Sequence, residues 1–353
     1  MLQRHDIARD GAARFGAGLR HHVAEAVAEL GARRALVLST PRQSDLALDV
    51  ATVLGPLAAG VFSRAVMHTP VEVTQDALDH ARELRADCVV AIGGGSTIGL
   101  GKALAYHAGF AQVAIPTTYA GSEATPILGQ TESGEKTTLS DPRVLPGRVL
   151  YDPELIVALP VEISVTSGLN AMAHAAEALY APDRTAATDA AALAAFQAFA
   201  QGLPQVVQDP ADLHARGATQ RGAWGAGRVL GQVGMALHHK LCHVLGGSFG
   251  LPHAQTHAVI LPHAIAYNAQ SAAVALRPLA HALGGDAPGA ALYDFARSLG
   301  APTALRDVGL READLPRAAA LATARPYPNP HPITEAGLLT LLRAAWAGEA
   351  PAF

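Results

Sequence analysis

Much of this sequence's meaning lies in what it has little of. Two cysteines occur in 353 residues, Cys88 and Cys242, each inside an apolar run. That excludes a disulfide framework and leaves two buried, reduced thiols. Aromatic residues make up 5% and charged residues 16%, with a formal net charge of −4. The basic footprint of a nucleic-acid binder is missing, so no nucleic-acid partner is expected. No uninterrupted apolar run reaches the roughly 18 residues that a spanning helix needs, so no membrane is expected either. The opening MLQRHDIARDGAARFG has no apolar signal core, which leaves the cytoplasm as the expected location.

Hydrophobic residues, alanine foremost, fill half of the chain. Its length exceeds what one hydrophobic core usually spans, so two domains are expected, 1–155 and 156–353. The first half alternates strand and helix. Residues 17–30 place Leu19, Val23, Val27 and Leu30 at helical spacing, with Gly31 as the stop. The run 35–39 reads as a buried strand, 43–54 as a helix, 61–67 as a second strand, 73–84 as a helix and 87–92 as a third strand. This order predicts a doubly wound parallel sheet. The fourth strand is 112–116, a hairpin is centred on 132–135, and 148–152 returns to the sheet. From Ser164 onward the segments 169–181, 187–201, 211–229 and 231–245 are long, alanine-rich and helical, predicting an all-helical second domain with a cleft between it and the first.

Two places carry chemistry. The third strand runs into Gly93-Gly94-Gly95-Ser96, with a helix opening near Thr97. Glycines there let backbone N–H groups approach a phosphate, and the helix N-terminus adds positive potential. Neither of two familiar motifs fits. The dinucleotide fingerprint needs glycine where Ile98 stands, and the P-loop needs glycine at Ser96 and a hydroxyl residue at Ala103. The hydroxyls of Thr117, Thr118 and Ser122 follow the fourth strand and suit ribose or amide contacts.

The second place is histidine. Six of the chain's 16 histidines fall between Leu237 and His263, in a segment otherwise rich in Leu, Val, Ala and Gly. Imidazole is the usual side chain for metal ligation or proton transfer near neutral pH. Asn170 and His174 share a helix face at i,i+4, as do His239 and His243, and Pro252-His253 opens the next segment. Three imidazoles and an amide can therefore converge. His21, His22, His107, His214, His238 and His281 read as ordinary surface or core residues.

At these residues the chain resembles a known family. GGGSTIGLGKALA, PTTYAGSE, LYDPELIVALP, SGLNAMAHAAEA and HHKLCHVLGGSFGLPHA, in this order, are similar to motifs of the iron-containing alcohol dehydrogenase superfamily. TTYAGSEATPILGQTESGEKTTLSDPRVLP and YPNPHPIT resemble its maleylacetate reductase branch. The resemblance implies a nucleotide-binding N-terminal domain, a helical C-terminal domain, NADH or NADPH in the cleft and a homodimer. It also implies a divalent metal, iron or zinc, held in metal-dependent members by one Asp and three His. Those positions are Asn170, His174, His239 and His253 here, and His243 matches a histidine close to the nicotinamide. Asn170 replaces the carboxylate, which weighs against a bound metal. The strand end Ser39-Thr40-Pro41-Arg42, where Ser39 and Thr40 are candidate cofactor contacts, lacks the acid that would repel a 2′-phosphate, and Arg42 can attract one.

The implied reaction is reduction of the C=C bond of maleylacetate, a small dicarboxylate, to 3-oxoadipate. It needs an electrophile at the ketone oxygen and a proton donor, for which His243, His253 and His239 are candidates and Tyr327 a weaker one. Lys136 and Arg143 are candidate carboxylate holders. Two other readings use the same scaffold: a metal-dependent alcohol or hydroxyacid dehydrogenase, and a lyase of the dehydroquinate synthase type.

Overall fold

The structure, a computed structural model, describes residues 8–132 and 135–351. The hairpin residues Ser133 and Gly134 and the Lys136 side chain lie outside the described residues. The chain opens with β1 (Ala8–Asp10), β2 (Ala13–Phe15), α1 (Val23–Glu29), β3 (Ala35–Leu38), α2 (Ser44–Leu54) and β4 (Ala58–Phe62). It continues with α3 (Val71–Glu83), β5 (Cys88–Gly93), α4 (Gly95–Ala108), β6 (Ala111–Pro116), the hairpin β7 (Ile127–Glu132) and β8 (Glu135–Ser140), and β9 (Arg148–Tyr151). Helices follow: α5 (Val161–Ala178), α6 (Ala186–Gln208), α7 (Leu213–Leu230), α8 (Leu237–Phe249), α9 (His253–Ala282), α10 (Pro288–Ser298), α11 (Leu315–Thr323) and α12 (Glu335–Ala347).

Among the described residues the main sheet runs β1-β2-β9-β6-β5-β3-β4. All neighbours from β2 to β4 are parallel, and β1 is antiparallel at one edge. The central strands are buried on both faces, which is why they read as unbroken apolar runs. Their alternation divides the core in two. Val37, Val90, Val113 and Ile115 pack with Val23, Val27, Val50 and Leu54 from α1 and α2. Leu36, Leu38 and Val89 pack with Leu78, Leu100 and Leu104 from α3 and α4. The second expected strand sits earlier than 61–67. Pairing with β3 spans Ala58 to Phe62, and beyond it the chain turns away through His68 and Thr69, both at positive φ.

The chain forms two compact units, and α7 crosses the boundary. One unit is the chain up to Leu159 together with Ala211–Gly227, and the other is Pro160–Pro210 with Arg228–Phe353. Sequence periodicity placed all of 211–229 in the helical half, yet most of α7 packs on the sheet unit. Trp224 Nε1 donates to Asp10 Oδ2 at 2.8 Å, and the Trp224 ring meets Tyr151 edge-on at 6.2 Å. Gly227 lies against the backbone of Gly121, where a Cβ would sit 2.1 Å from the Gly121 carbonyl oxygen. An amphipathic pattern shows that a helix has a face to bury, not which partner will bury it.

In the helical unit, α6 and α9 are long and apolar enough to cross a membrane by length and composition. The continuous-run criterion misses them because Gln, Pro and His interrupt them. Phe199 and Leu203 of α6 pack on Gly168 of α5, and α9 buries His257, His263 and Asn268 with its apolar residues.

Gly227→Ala should lower the stability of the sheet unit by about 2 kcal/mol, since a backbone carbonyl has nowhere to move. Urea unfolding followed by tryptophan fluorescence measures it, and an unchanged midpoint contradicts the contact. A second expectation concerns His263, buried on α9 with both ring nitrogens unpartnered, where burial lowers its pKa to about 4. The unfolded chain binds this proton near pH 6.5, so the contribution is fully present above that pH and is lost as pH falls toward 4. His263→Leu should therefore shrink the stability loss between pH 6.5 and 4.5 by about 2 kcal/mol. Parallel pH profiles for the two proteins would contradict it.

Candidate active site

The sheet unit offers a crevice at its strand ends. The chain order around β3 and β5 reverses direction in the sheet, so their carboxyl ends bound a switch-point crevice, the usual ligand position in such folds. Gly93 closes β5 at φ 154°, and a Cβ there would lie 2.5 Å from Thr97 Oγ1 and 2.9 Å from Gln43 Oε1. Gly95 faces open space, and no side chain caps the start of α4. The first-turn amides near Gly94, Gly95 and half-buried Ser96 are thus available to an anion.

Three strand ends meet here. Thr117 N donates to Gly93 O at 3.0 Å, and Gln43 Nε2 donates to Thr117 Oγ1 at 3.0 Å. Thr40 Oγ1 donates to Gln43 Oε1, and a Cβ on Gly94 would touch the Thr118 methyl. Ser39 is different from its expected role. It is fully buried, and its hydroxyl donates to Ser63 Oγ at 2.8 Å, so it braces the strand end.

Sequence pattern assigns Lys102 no role of its own, but the structure gives it a task. Its ammonium, 1% exposed, donates to Thr125 O, Thr125 Oγ1, Ile127 O and Ser122 O. Burial pulls its pKa down to about 7, with the Glu123 carboxyl opposing. Lys102 therefore fastens the loop carrying Thr117, Thr118 and Ser122 onto α4. The Ser122 hydroxyl is buried without a partner. A lysine between Gly101 and Ala103 on an otherwise apolar helix was the available signal.

The helical unit gathers the imidazoles. Asn170, His174 and Glu177 fall at i, i+4 and i+7 on α5, one face of it. Glu177 is fully buried and binds the start of α8. Its carboxylate accepts from the backbone N–H of Ala236 (3.0 Å) and His238 (2.8 Å), from Tyr180 Oη (3.1 Å) and from His239 Nδ1 (2.6 Å). A carboxylate at a helix N-terminus satisfies orphan amides and faces the positive end of the helix dipole. It also fixes the His239 tautomer: Nδ1 carries the proton, and Nε2 presents a lone pair with no partner.

Around His239 the rings form a continuous cluster. His174 lies 5.1 Å away between centroids, His243 6.2 Å and His257 5.3 Å, and the His253 ring lies 4.1 Å from that of His257, tilted by 54°. His174, His239 and His257 are buried, and burial with neighbouring imidazoles holds each well below the usual histidine range. They are neutral at pH 7. His243 and His253 are exposed. The structure thus gathers His174, His239, His243 and His253 as expected.

It adds three residues that the sequence reading passed over. His257 follows His253 by one turn, and Glu177 is the one charged residue between 165 and 182. His238, given an ordinary role, is part of the cluster. Among the described residues, His238, His239 and His257 are the imidazoles with ligating atoms all within 4.8 Å. Yet His238 Nε2 is taken by the His257 carbonyl at 3.1 Å, so it serves mainly as a wall. Tyr327 lies on the loop after α11, half-buried, its hydroxyl buried without a partner. Burial pushes its phenol pKa up, which makes it a hydrogen-bond donor and a poor acid. Arg143 of the hairpin region is paired with Asp141, and so is not a free carboxylate holder.

Comparison with known proteins agrees with both halves. Residues 11–153 match the iron-containing alcohol dehydrogenase family, and residues 164–346 match the Fe-containing alcohol dehydrogenase family, C-terminal. The chain is 56% identical to the maleylacetate reductase of Rhizobium sp. strain MTP-10005, over 96% of each chain. The crystal structure of maleylacetate reductase from Agrobacterium tumefaciens superposes with a TM-score of 0.95 at 55% identity, covering 99% of this chain and 100% of that one. That of an iron-containing alcohol dehydrogenase from Corynebacterium glutamicum gives 0.92 at 40% identity, covering 98% of each. By sequence and by fold, this chain belongs to the iron-containing alcohol dehydrogenase family.

Proposed function

We propose that this protein is an NAD(P)H-dependent maleylacetate reductase, reducing the C=C bond of maleylacetate to give 3-oxoadipate. The observation that carries the reading is the neutral donor set, Asn170 with imidazoles, in a family whose metal-dependent members place an acid there. The near full-length relatives named for this activity support it. A bound nicotinamide supplies the hydride. The first-turn amides at Gly94–Ser96 would hold its phosphates, and Thr40, Thr117, Thr118 and Ser122 would supply polar contacts. Exposed Arg42 and the missing acid beside it suit NADPH as well as NADH.

Hydride delivery to the alkene carbon β to the ketone leaves charge on the ketone oxygen. His243 and His253, exposed and able to exchange protons with solvent, donate to that oxygen and to the α-carbon. Buried His239, its tautomer set by Glu177, positions them and accepts at Nε2. Tyr327 donates a hydrogen bond and does not give up its proton.

A divalent metal would find donors of the right kind: Asn170 Oδ1, His174 and His239 Nε2, with His253. The Asn170 oxygen, His174 Nδ1 and His239 Nε2 are buried without partners. Such an ion would polarise the ketone. All these donors are neutral, and the Glu177 carboxylate is committed to α8, so charge compensation is absent and affinity is low. Catalysis rests on the imidazoles.

The assay is NADH consumption with maleylacetate before and after chelation. Turnover within about twofold after chelation is expected, whereas loss restored by zinc or iron would favour a metal-dependent dehydrogenase, and no turnover at all would sink the reductase reading. His243→Ala should lower kcat by about 100-fold or more while the Kd for NADH shifts less than about threefold. Retained kcat would remove His243 from the chemistry.

A further inference from the structure

A second polar feature of the helical unit enters the mechanism above only through Tyr327. A cavity of about 380 Å3 lies between α11 and α12, lined among others by Arg325, Tyr327, Asn329 and His331. Its wall is rigidly fixed. Asn329 Oδ1 accepts from Leu237 N at 3.3 Å and from Asn268 Nδ2 at 3.0 Å, while its Nδ2 donates to Asn268 Oδ1 at 2.6 Å and to His331 O at 2.7 Å. Tyr267 Oη donates to Pro332 O at 2.7 Å. The cavity is thereby tied to the first turn of α8, next to His238 and His239.

Its charge is one-sided. No acid lines it. Arg325 is exposed and, among the described residues, has no ion-pair partner, whereas Arg306 pairs with Asp307 and Arg311 with Asp314. Lys240, the residue after His239, also lacks an ion pair and holds its ammonium 5.7 Å from the centroid of the Tyr327 ring. The Tyr327 hydroxyl is buried with no acceptor. An unpaired guanidinium, an orphan O–H donor and an imidazole on the lining, with the Lys240 ammonium against the Tyr327 ring, are complementary to a carboxylate.

We infer that this cavity is the subsite for the substrate carboxylate on the ketone side, remote from the carbon that receives hydride. Arg325 is its ion-pair partner, Tyr327 Oη donates to it, and Lys240 adds positive potential. The inference rests on the maleylacetate reading. It also explains how a ketone flanked by that carboxylate is oriented toward the imidazoles that follow on α8.

The test compares maleylacetate with 4-oxopent-2-enoate, which lacks this carboxylate, in NADH-consumption assays on the full-length protein. Wild type prefers the dicarboxylate. Arg325→Met reduces that preference in kcat/KM about 30-fold, Arg325→Lys restores part of it, and the KM for NADH stays within about twofold. A preference within about twofold of wild type in both Arg325→Met and Tyr327→Phe overturns the subsite. If wild type consumes NADH with neither compound, the reductase reading fails by itself. The subsite is then decided by malonate, which raises the Tm of wild type but not of Arg325→Met if it is correct, and affects the two equally if it is not.

Discussion

Glu177 brings a carboxylate into a place with no solvent exposure, where an unpaired charge would cost several kcal/mol. It is held because the start of α8, the Tyr180 hydroxyl and His239 Nδ1 all converge on it. Much of the site depends on this one arrangement. It caps a helix that has no capping side chain of its own, at Ala236. It locks α5 to α8 and so brings His174 up to His239, with Asn170 one turn away on the same face of α5. It also sets which His239 nitrogen carries the proton. One carboxylate thus determines a helix start, an interhelical contact and a tautomer, and none of the three can change alone.

Lys102 plays the corresponding part in the sheet unit. A buried ammonium needs acceptors, and here they are loop carbonyls instead of a carboxylate. The loop between β6 and β7 has little regular structure to hold it. Its position relative to the glycine turn is set by this single side chain, with Gln43 joining the ends of β3 and β6. Each unit therefore fixes its candidate site with one buried ionisable group, which holds a loop in the sheet unit and a helix start in the helical unit.

The replacement of a family carboxylate by Asn170 has an electrostatic logic. A dianionic enone approaching an acidic ligand would be repelled, and neutral imidazoles with exposed partners leave room for negative charge to develop. The loop Arg325–His331 extends the same logic, since among the described residues Arg325 forms no ion pair while Arg306 and Arg311 are paired on the surface. Charge is sparse in this chain, so where it stands unpaired is informative.

The parallel sheet, the helical second half and the glycine turn were legible because each rests on local pattern: unbroken apolar runs, 3.6-residue spacing, and glycine where φ is positive. The pairings Asn170–His174 and His239–His243 were legible for the same reason, as helix geometry alone puts i and i+4 on one face. Which distant segments meet was not. Gly227 against Gly121, Glu177 under the start of α8, Lys102 beneath the 122–127 loop and Asn329 on Leu237 all join residues far apart in the chain, and no periodicity encodes them. Ser39 reads as a cofactor contact in sequence, but in the fold its hydroxyl is spent on Ser63. The sequence by itself determined the elements and the chemical inventory; the tertiary structure decided partners, tautomer and burial, because those depend on which surfaces exclude water together.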